Sequence, residues 1–424
     1  MQEKYYNKIK EKVYYETLDN GLKIVIMPMK TRKKFIIWSA NVGSIDNKFI
    51  VEGEDETILP DGIAHYLEHK LFEQENGRNS LDVLTSIGVE ANAYTTNNHT
   101  AYLFEATENF DEALDEFMDY VQNPYFTDEN VEKERGIISQ EIMMYDDYPE
   151  WAVYINLMKA MYHNNEINID EAGTVETIKE IDKDKLYKLY NAFYVPHNMI
   201  LVLTGDFEPE ETLEKVKKRI VKEDNEKNVI RIYNEEPCEI VKPYVEKQMD
   251  ISMPVEIIGF KDNNYKENIM VKDVAIDIIG SAVLGKSSKV YEKLYEEGKL
   301  KGVPGITYEC AKTFGHTLIQ FQADDYKYVT EEIIKAFEEA KEVGISEEDF
   351  ERCKRKIYGE YVRVFDDPDA VASAIVADYF KGTDTFEYFD VFDKINLDDI
   401  NKILKEIFNK DLMVISVIKT KEEE

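Results

Sequence analysis

The chain has 424 residues, with 52 Lys and Arg against 86 Asp and Glu and a formal net charge of −34. Nucleic acids and anionic membranes are bound through clustered basic residues, so this balance argues against both as partners. Hydrophobic residues at 43% and aromatic residues at 12% suffice for packed cores and exclude wholesale disorder.

The opening reads as β structure. Asn20-Gly21 is a hairpin turn signal between VYYETL and LKIVIM, and FIIWSANV supplies another strand. Pro60-Asp61 introduces a helix over GIAHYLEHKLFEQ, expected to run to Asn76-Gly77. AYLFEA is strand-like, and DEALDEFMDYV places Leu114, Phe117, Met118 and Val121 at helical spacing. A further helix is predicted from Thr127-Asp128 to about Asp146, and MILVLTG reads as a buried strand ending at Gly205. Strands and helices mix without regular βαβ alternation, so the class is α+β.

Residues 222–245 are polar and carry two prolines, which places an inter-domain connection there. The expected division is 1–225, a linker at 226–245, and 246–424. The pattern then begins again. TDENVEKERGIISQEIMMYDDYP from Thr127 lies over SEEDFERCKRKIYGEYVRVFDDP from Ser346 without gaps, at an offset of 219 residues. Glu141 meets Glu360 and Pro149 meets Pro368, and each stretch follows an amphipathic helix candidate. Two copies of one α+β unit is the expected architecture. Cys238, Cys310 and Cys353 form no CxxC pair, which suits a reducing compartment, and the charged start has no apolar leader core. No apolar run approaches the roughly 18 residues of a membrane span, so a cytoplasmic protein is expected.

The chemistry concentrates in His65-Tyr66-Leu67-Glu68-His69. On a helix, positions i and i+4 share a face, so His65 and His69 can offer two imidazoles to one metal ion. Glu68 sits one turn along from His65, suited to taking a proton from metal-bound water without being a ligand. H-x-x-E-H is the inverzincin zinc signature. Glu134 and Glu141 are two turns apart on one predicted helix face, and Glu141 is flanked by Ile137, Ile138, Ile142 and Met143. A carboxylate in such surroundings is costly unless paired with a cation. Glu141 is therefore the expected third ligand and Glu134 a supporting carboxylate. His99, His163, His197 and His316 read as structural.

These residues resemble the pitrilysin/insulinase family of zinc metallopeptidases, which includes mitochondrial-processing-type peptidases. The resemblance rests on HYLEH preceded by DGIA, Glu141 downstream with Glu134 ahead of it, NAYTTNNHTAYLF, and FYVPHNMILVLTGDF closing the first half. It implies one Zn2+ per chain held by His65, His69 and Glu141, with Glu68 activating water. It also implies that Asn92-Ala93-Tyr94-Thr95 is an edge strand to which a peptide adds by backbone hydrogen bonds. Each repeat would be a mixed or antiparallel sheet packed against helices, together forming half of a clam-shell chamber. In the second half AIDIIGSAVLGKSSKVYEKL replaces the HYLEH helix and has no histidine. The family's Arg/Tyr substrate pair is also missing: Leu294-Tyr295-Glu296-Glu297-Gly298 puts Tyr295 at the Arg position, and the Tyr position falls on Gly302. The resemblance thus implies a metalloendopeptidase whose homologous second subunit carries that pair, as a heterodimer, or otherwise a homodimer. A non-catalytic scaffold or assembly subunit of the same fold is the alternative.

Overall fold

The computed structural model describes every residue except Asn76, Asn225, Glu226 and 422–424. The helix end expected at Asn76 and the domain boundary expected at 225/226 lie outside the described residues. The first half of the chain forms strands β1 (Gln2–Tyr6), β2 (Glu11–Thr17), β3 (Lys23–Pro28), β4 (Lys34–Ala40), β5 (Lys48–Val51), β6 (Glu56–Ile58), β7 (Glu90–Thr95), β8 (Thr100–Ala106) and β9 (Met199–Gly205). Its helices are α1 (Ile63–Leu71), α2 (Ser80–Ser86), α3 (Phe110–Gln122), α4 (Asp128–Asp146), α5 (Pro149–Met161), α6 (Lys183–Phe193) and α7 (Pro209–Lys217). The second half adds β10 (Val229–Arg231), β11 (Tyr244–Met249), β12 (Val255–Lys261), β13 (Gly305–Cys310), β14 (Gly315–Gln322) and β15 (Met413–Thr420). With them come α8 (Ile269–Val283), α9 (Lys289–Glu296), α10 (Tyr326–Val343), α11 (Glu347–Val364), α12 (Pro368–Lys381), α13 (Tyr388–Lys394) and α14 (Leu397–Ile407).

The chain folds into two compact units, each assembled from three stretches of sequence. Unit 1 comprises Met1–Ile142, Asp170–Tyr233 and Val362–Thr385; unit 2 comprises Met143–Ile169, Asn234–Tyr361 and Phe386–Glu424. Unit 1 contains a seven-stranded sheet in the order β1-β2-β3-β9-β4-β8-β7 and a three-stranded sheet β10-β5-β6. Unit 2 contains a five-stranded sheet in the order β11-β15-β12-β14-β13. The last five strands of the seven-stranded sheet and the whole of the five-stranded one have the same connectivity. β3 runs parallel to β9 and β11 parallel to β15, and the remaining matched pairs are antiparallel. The internal repeat seen in the sequence is thus a repeat of topology. Its helices coincide too: α3, α4 and α5 are matched by α10, α11 and α12, and Pro149 and Pro368 open equivalent helices.

One helix of each repeat packs in the unit built mainly from the other. α5 lays Val153, Leu157, Met158 and Met161 into a core with Ile257, Leu318, Val414 and Ile418 of unit 2. The approach is close because Gly259 on β12 has no side chain: a Cβ there would lie 2.6 Å from Met161 Cε and 2.8 Å from Leu157 Cδ2. Reciprocally, α12 packs on β9 and β4 in unit 1, where the Thr204 hydroxyl donates to the Pro368 carbonyl at 2.7 Å. The unit 1 core joins alternate residues of the sheet, such as Ile24, Ile36, Trp38, Phe104 and Leu201, to Leu114, Phe117, Met118 and Val121 of α3, the four at helical spacing in the sequence. No described helix is long and apolar enough to cross a membrane.

A charged residue interrupts the unit 2 core. Glu256 on β12 is buried, with one carboxylate oxygen accepting from the Thr330 hydroxyl and the other without a partner. Burial pushes its pKa from 4.5 up to about 8, the Thr330 hydrogen bond opposing that rise. A folded-state pKa raised in this way gives stability that is fully present below the unfolded value and is lost as pH rises towards 8. Glu256→Gln should therefore flatten the pH dependence of unfolding between pH 4.5 and 8. Above that window the variant should be the more stable by a few kcal/mol, on the order of 1.4 kcal/mol for each pH unit separating the folded and unfolded pKa values. Urea midpoints on the acid side and on the alkaline side of the window measure the effect, and parallel curves for the two proteins would contradict it.

Candidate active site

The short helix α1 is shaped by what surrounds it. Its entry is Gly62, whose φ of 87° suits glycine and whose missing Cβ leaves room for the Ala172 carbonyl, which would otherwise lie 2.3 Å away. Ile63, Ala64, Tyr66, Leu67 and Leu71 are all buried in the unit 1 core. The Tyr66 hydroxyl donates to the Val131 carbonyl and so fixes α1 against α4. The helix stops at Leu71 rather than continuing to Asn76-Gly77, because the chain turns back: Gln74 N–H donates to the Arg78 carbonyl and Glu73 forms a backbone bridge with Asn79. The stripe of α1 that carries His65 and His69 faces Glu134 and Glu141 of α4.

On that stripe the residues singled out in the sequence converge. One nitrogen of each of His65 and His69 and one oxygen of Glu141 lie within 4.8 Å of one another. His65 Nε2 is 3.8 Å from Glu141 Oε1, and His69 Nε2 is 3.3 Å from Glu141 Oε2. Donors about 2.1 Å from a tetrahedral zinc ion are about 3.4 Å apart, so this set fits such an ion with little adjustment. Two imidazoles and one carboxylate also form a donor set used by catalytic zinc, with a fourth position left open. Glu134, two turns earlier on the same face of α4, places its Oε1 3.2 Å from His69 Nδ1. The apolar setting expected for Glu141 is only partial. Ile138 and Ile142 are buried, but Ile137 and Met143 are about half exposed, because they occupy the outer faces of α4.

The electrostatics separate the groups. Burial, with His69 adding to it, lowers His65 to about 3, so its imidazole is neutral as a metal ligand must be. Burial opposes charge on His69, but the hydrogen bond to Glu134 and the charges of Glu68 and Glu141 outweigh it and raise its pKa. Burial also works against an anionic Glu134, and His69 and Lys70 overcome it, holding Glu134 below the usual carboxylate range. Glu68 is almost fully buried, which pushes it up to about 7, while the Thr95 hydroxyl restrains the rise by donating to Glu68 Oε2 at 2.6 Å.

Thr95 belongs to β7, which forms one edge of the large sheet and pairs only with β8 among the described strands. Asn92, Ala93, Tyr94 and Thr95 therefore lie on a sheet edge, and the last of them touches Glu68. Sequence alone marks Thr95 only as part of that edge; alternation along β7 is the signal that turns its side chain inward. Lys70 has no such signal. It follows His69, is fully buried, and lies 2.5 Å from Glu73 and 3.6 Å from Glu134. The other histidines have local partners: His99 stacks on Phe380 and meets Asn98, His197 meets Asp224, and His316 sits between Tyr162 and Glu309. The backbone of His163 donates to Glu236. At the Glu134 and Glu141 positions of the second repeat stand Cys353, buried in the unit 2 core, and Glu360, paired with Lys356.

Residues 54–174 match the family described as Insulinase (Peptidase family M16), and residues 180–357 match the Peptidase M16 inactive domain. The chain is 33% identical over 417 residues to the uncharacterized zinc protease YmfH of Bacillus subtilis, covering 97% of both chains. It is 30% identical over 207 residues to the uncharacterized zinc protease SCO5738 of Streptomyces coelicolor, covering 47% of this chain and 43% of that one. A crystal structure from Alicyclobacillus acidocaldarius, described as M16-like, superposes with a TM-score of 0.92 at 31% identity, over 97% of this chain and 99% of that one. A Helicobacter pylori protease shares the fold at a TM-score of 0.83 and 20% identity, over 96% and 100% of the chains.

The contact between Thr95 and Glu68 has a measurable consequence. Thr95→Val removes the donor from a buried carboxylate and should cost about 1–3 kcal/mol in unfolding free energy, whereas Thr95→Ser keeps the hydroxyl and should cost less. Denaturant titration of the two variants checks this ordering.

Proposed function

The chain belongs to the insulinase family, peptidase family M16, and from that premise we propose that it is a zinc-dependent metalloendopeptidase acting on extended peptides. The observation that carries the reading is the convergence of His65, His69 and Glu141 next to a buried Glu68 that is hydrogen-bonded to an edge strand. In this reading His65, His69 and Glu141 hold one zinc ion. Zinc bound there supplies a Lewis acid for the scissile carbonyl and acidifies a water molecule. Glu68 removes a proton from the attacking water and returns it to the leaving amine, a task suited to a buried carboxyl group that is not itself a metal donor. Glu134 orients His69 through Nδ1. The free edge of β7, at Asn92, Ala93, Tyr94 and Thr95, aligns the peptide as an added strand, and Thr95 brings that strand next to the base.

The second repeat, expected over 246–424, takes no part in the chemistry in this proposal, since Cys353 and Glu360 have no histidine pair to work with. Tyr295 is exposed and stacks on Tyr291, and Gly302 follows in the loop, so the Arg/Tyr pair must come from elsewhere. We propose a homologous second subunit as its source, within a chamber the two subunits share; a homodimer, which would work without that pair, is the alternative arrangement. Cys238, Cys310 and Cys353 form no disulfide with one another, which suits the reducing cytoplasm.

Glu68→Gln should keep near-stoichiometric zinc and lose peptide cleavage by a factor of at least about a hundred. His69→Ala should instead lower the bound metal. Elemental analysis and a peptide-library digest, each with and without chelator and with and without the partner subunit, read both outcomes. Cleavage undiminished in Glu68→Gln would refute the mechanism, and a wild-type protein free of metal would favour a scaffold role.

A further inference from the structure

Three lysines are buried among the described residues, and each meets a carboxylate. Lys261 pairs with Glu236 and Lys272 with Asp262, both within unit 2 and remote in sequence from the histidine motif. Lys70 differs in its neighbours. It immediately follows His69, its side chain is 0% exposed, and its ammonium lies between Glu73 Oε2 at 2.5 Å and Glu134 Oε2 at 3.6 Å. The other oxygen of Glu134 is 3.2 Å from His69 Nδ1, and the other oxygen of Glu73 is 3.7 Å from Lys133. A chain of contacts therefore runs from Lys70 through Glu134 and His69 to Glu141.

We propose that Lys70 is a positioning residue for the metal site, its ammonium fixing Glu134 so that this carboxylate accepts from His69 Nδ1 and leaves His69 Nε2 free to bind metal. The inference rests on reading His65, His69 and Glu141 as metal donors. Its physical basis is twofold. A carboxylate as buried as Glu134 needs a countercharge, and Lys70 is the cation within reach of Glu134 Oε2. The orientation of a ligating imidazole is set by what its second nitrogen meets, and outer partners of this kind typically change metal affinity about 10–100-fold. Holding one oxygen of Glu134 at Lys70 directs the other to His69, so the lysine acts on the ion without touching it.

The test needs no peptide substrate. The full chain is stripped of metal, and the Kd for Zn2+ alone is measured by competition with a chromophoric chelator. Lys70→Met, close in shape and uncharged, should weaken zinc binding about 10–100-fold, and Lys70→Arg should recover most of it. Glu134→Gln should weaken binding similarly, and adding Lys70→Met to it should weaken binding no further, because the lysine acts only through that carboxylate. Circular dichroism and unfolding midpoints of the metal-free proteins identify folded variants; if Lys70→Met does not fold, Lys70→Gln serves as the neutral variant with the same expectation. Wild-type affinity in the folded neutral variant, or additive losses in the double variant, would overturn the inference alone. A wild-type chain that binds no zinc, or binds it equally well after His69→Ala, would overturn the reading of the site and this inference with it.

Discussion

Glu68, Glu134 and Glu141 are gathered around two imidazoles where α1 faces α4, and Glu73 lies just beyond the end of α1, in a chain that already carries a net charge of −34. So many carboxylates in a partly buried space repel one another unless positive charge is placed among them. Each neighbour of the cluster answers that constraint in part. Lys70 stands between Glu73 and Glu134, Thr95 donates to Glu68, and His69 bridges Glu134 and Glu141. The remaining positive charge is what a divalent ion would bring. The rigid seating of α1 follows from the same need, because a helix free to shift would separate these groups and leave buried carboxylates without partners.

Much of the site is legible in the sequence because it is periodic. Helical spacing of four puts His65 and His69 on one face, spacing of seven puts Glu134 and Glu141 on one face, and the offset of 219 residues exposes the duplication. These are properties of single helices, and local geometry suffices to read them. The rest depends on which elements meet. Nothing local to HYLEH says that Glu73 and Glu134 close over the lysine that follows it. The end of α1 at Leu71 is set by the return of the chain at Glu73 and Asn79. The apolar flank of Glu141 is thinner than its sequence neighbours suggest, because four such neighbours are distributed around a helix and only two of them turn inward.

The second repeat shows how the same scaffold is maintained without the chemistry. Cys353 takes the place of Glu134 and joins Phe350, Ile357 and the rest of an apolar core, so no countercharge is required there. Glu360 takes the place of Glu141 and is satisfied by Lys356 at the surface. The strand order is unchanged, which means that the sheet does not depend on the His65, His69 and Glu141 cluster that accompanies it in the first repeat.

The reciprocal placement of α5 and α12 has a consequence for biosynthesis. During translation the seven-stranded sheet of unit 1 is complete in sequence once β9 has emerged, yet α12, the helix that packs on β9 and β4, lies more than a hundred residues further along. Until it arrives, an apolar sheet face stands open in the nascent chain, and α5 waits likewise for β12 and β15. Each unit completes its core only when residues from the other half of the chain have been synthesised, so a cut between the two repeats would part α5 and α12 from the strands on which they pack.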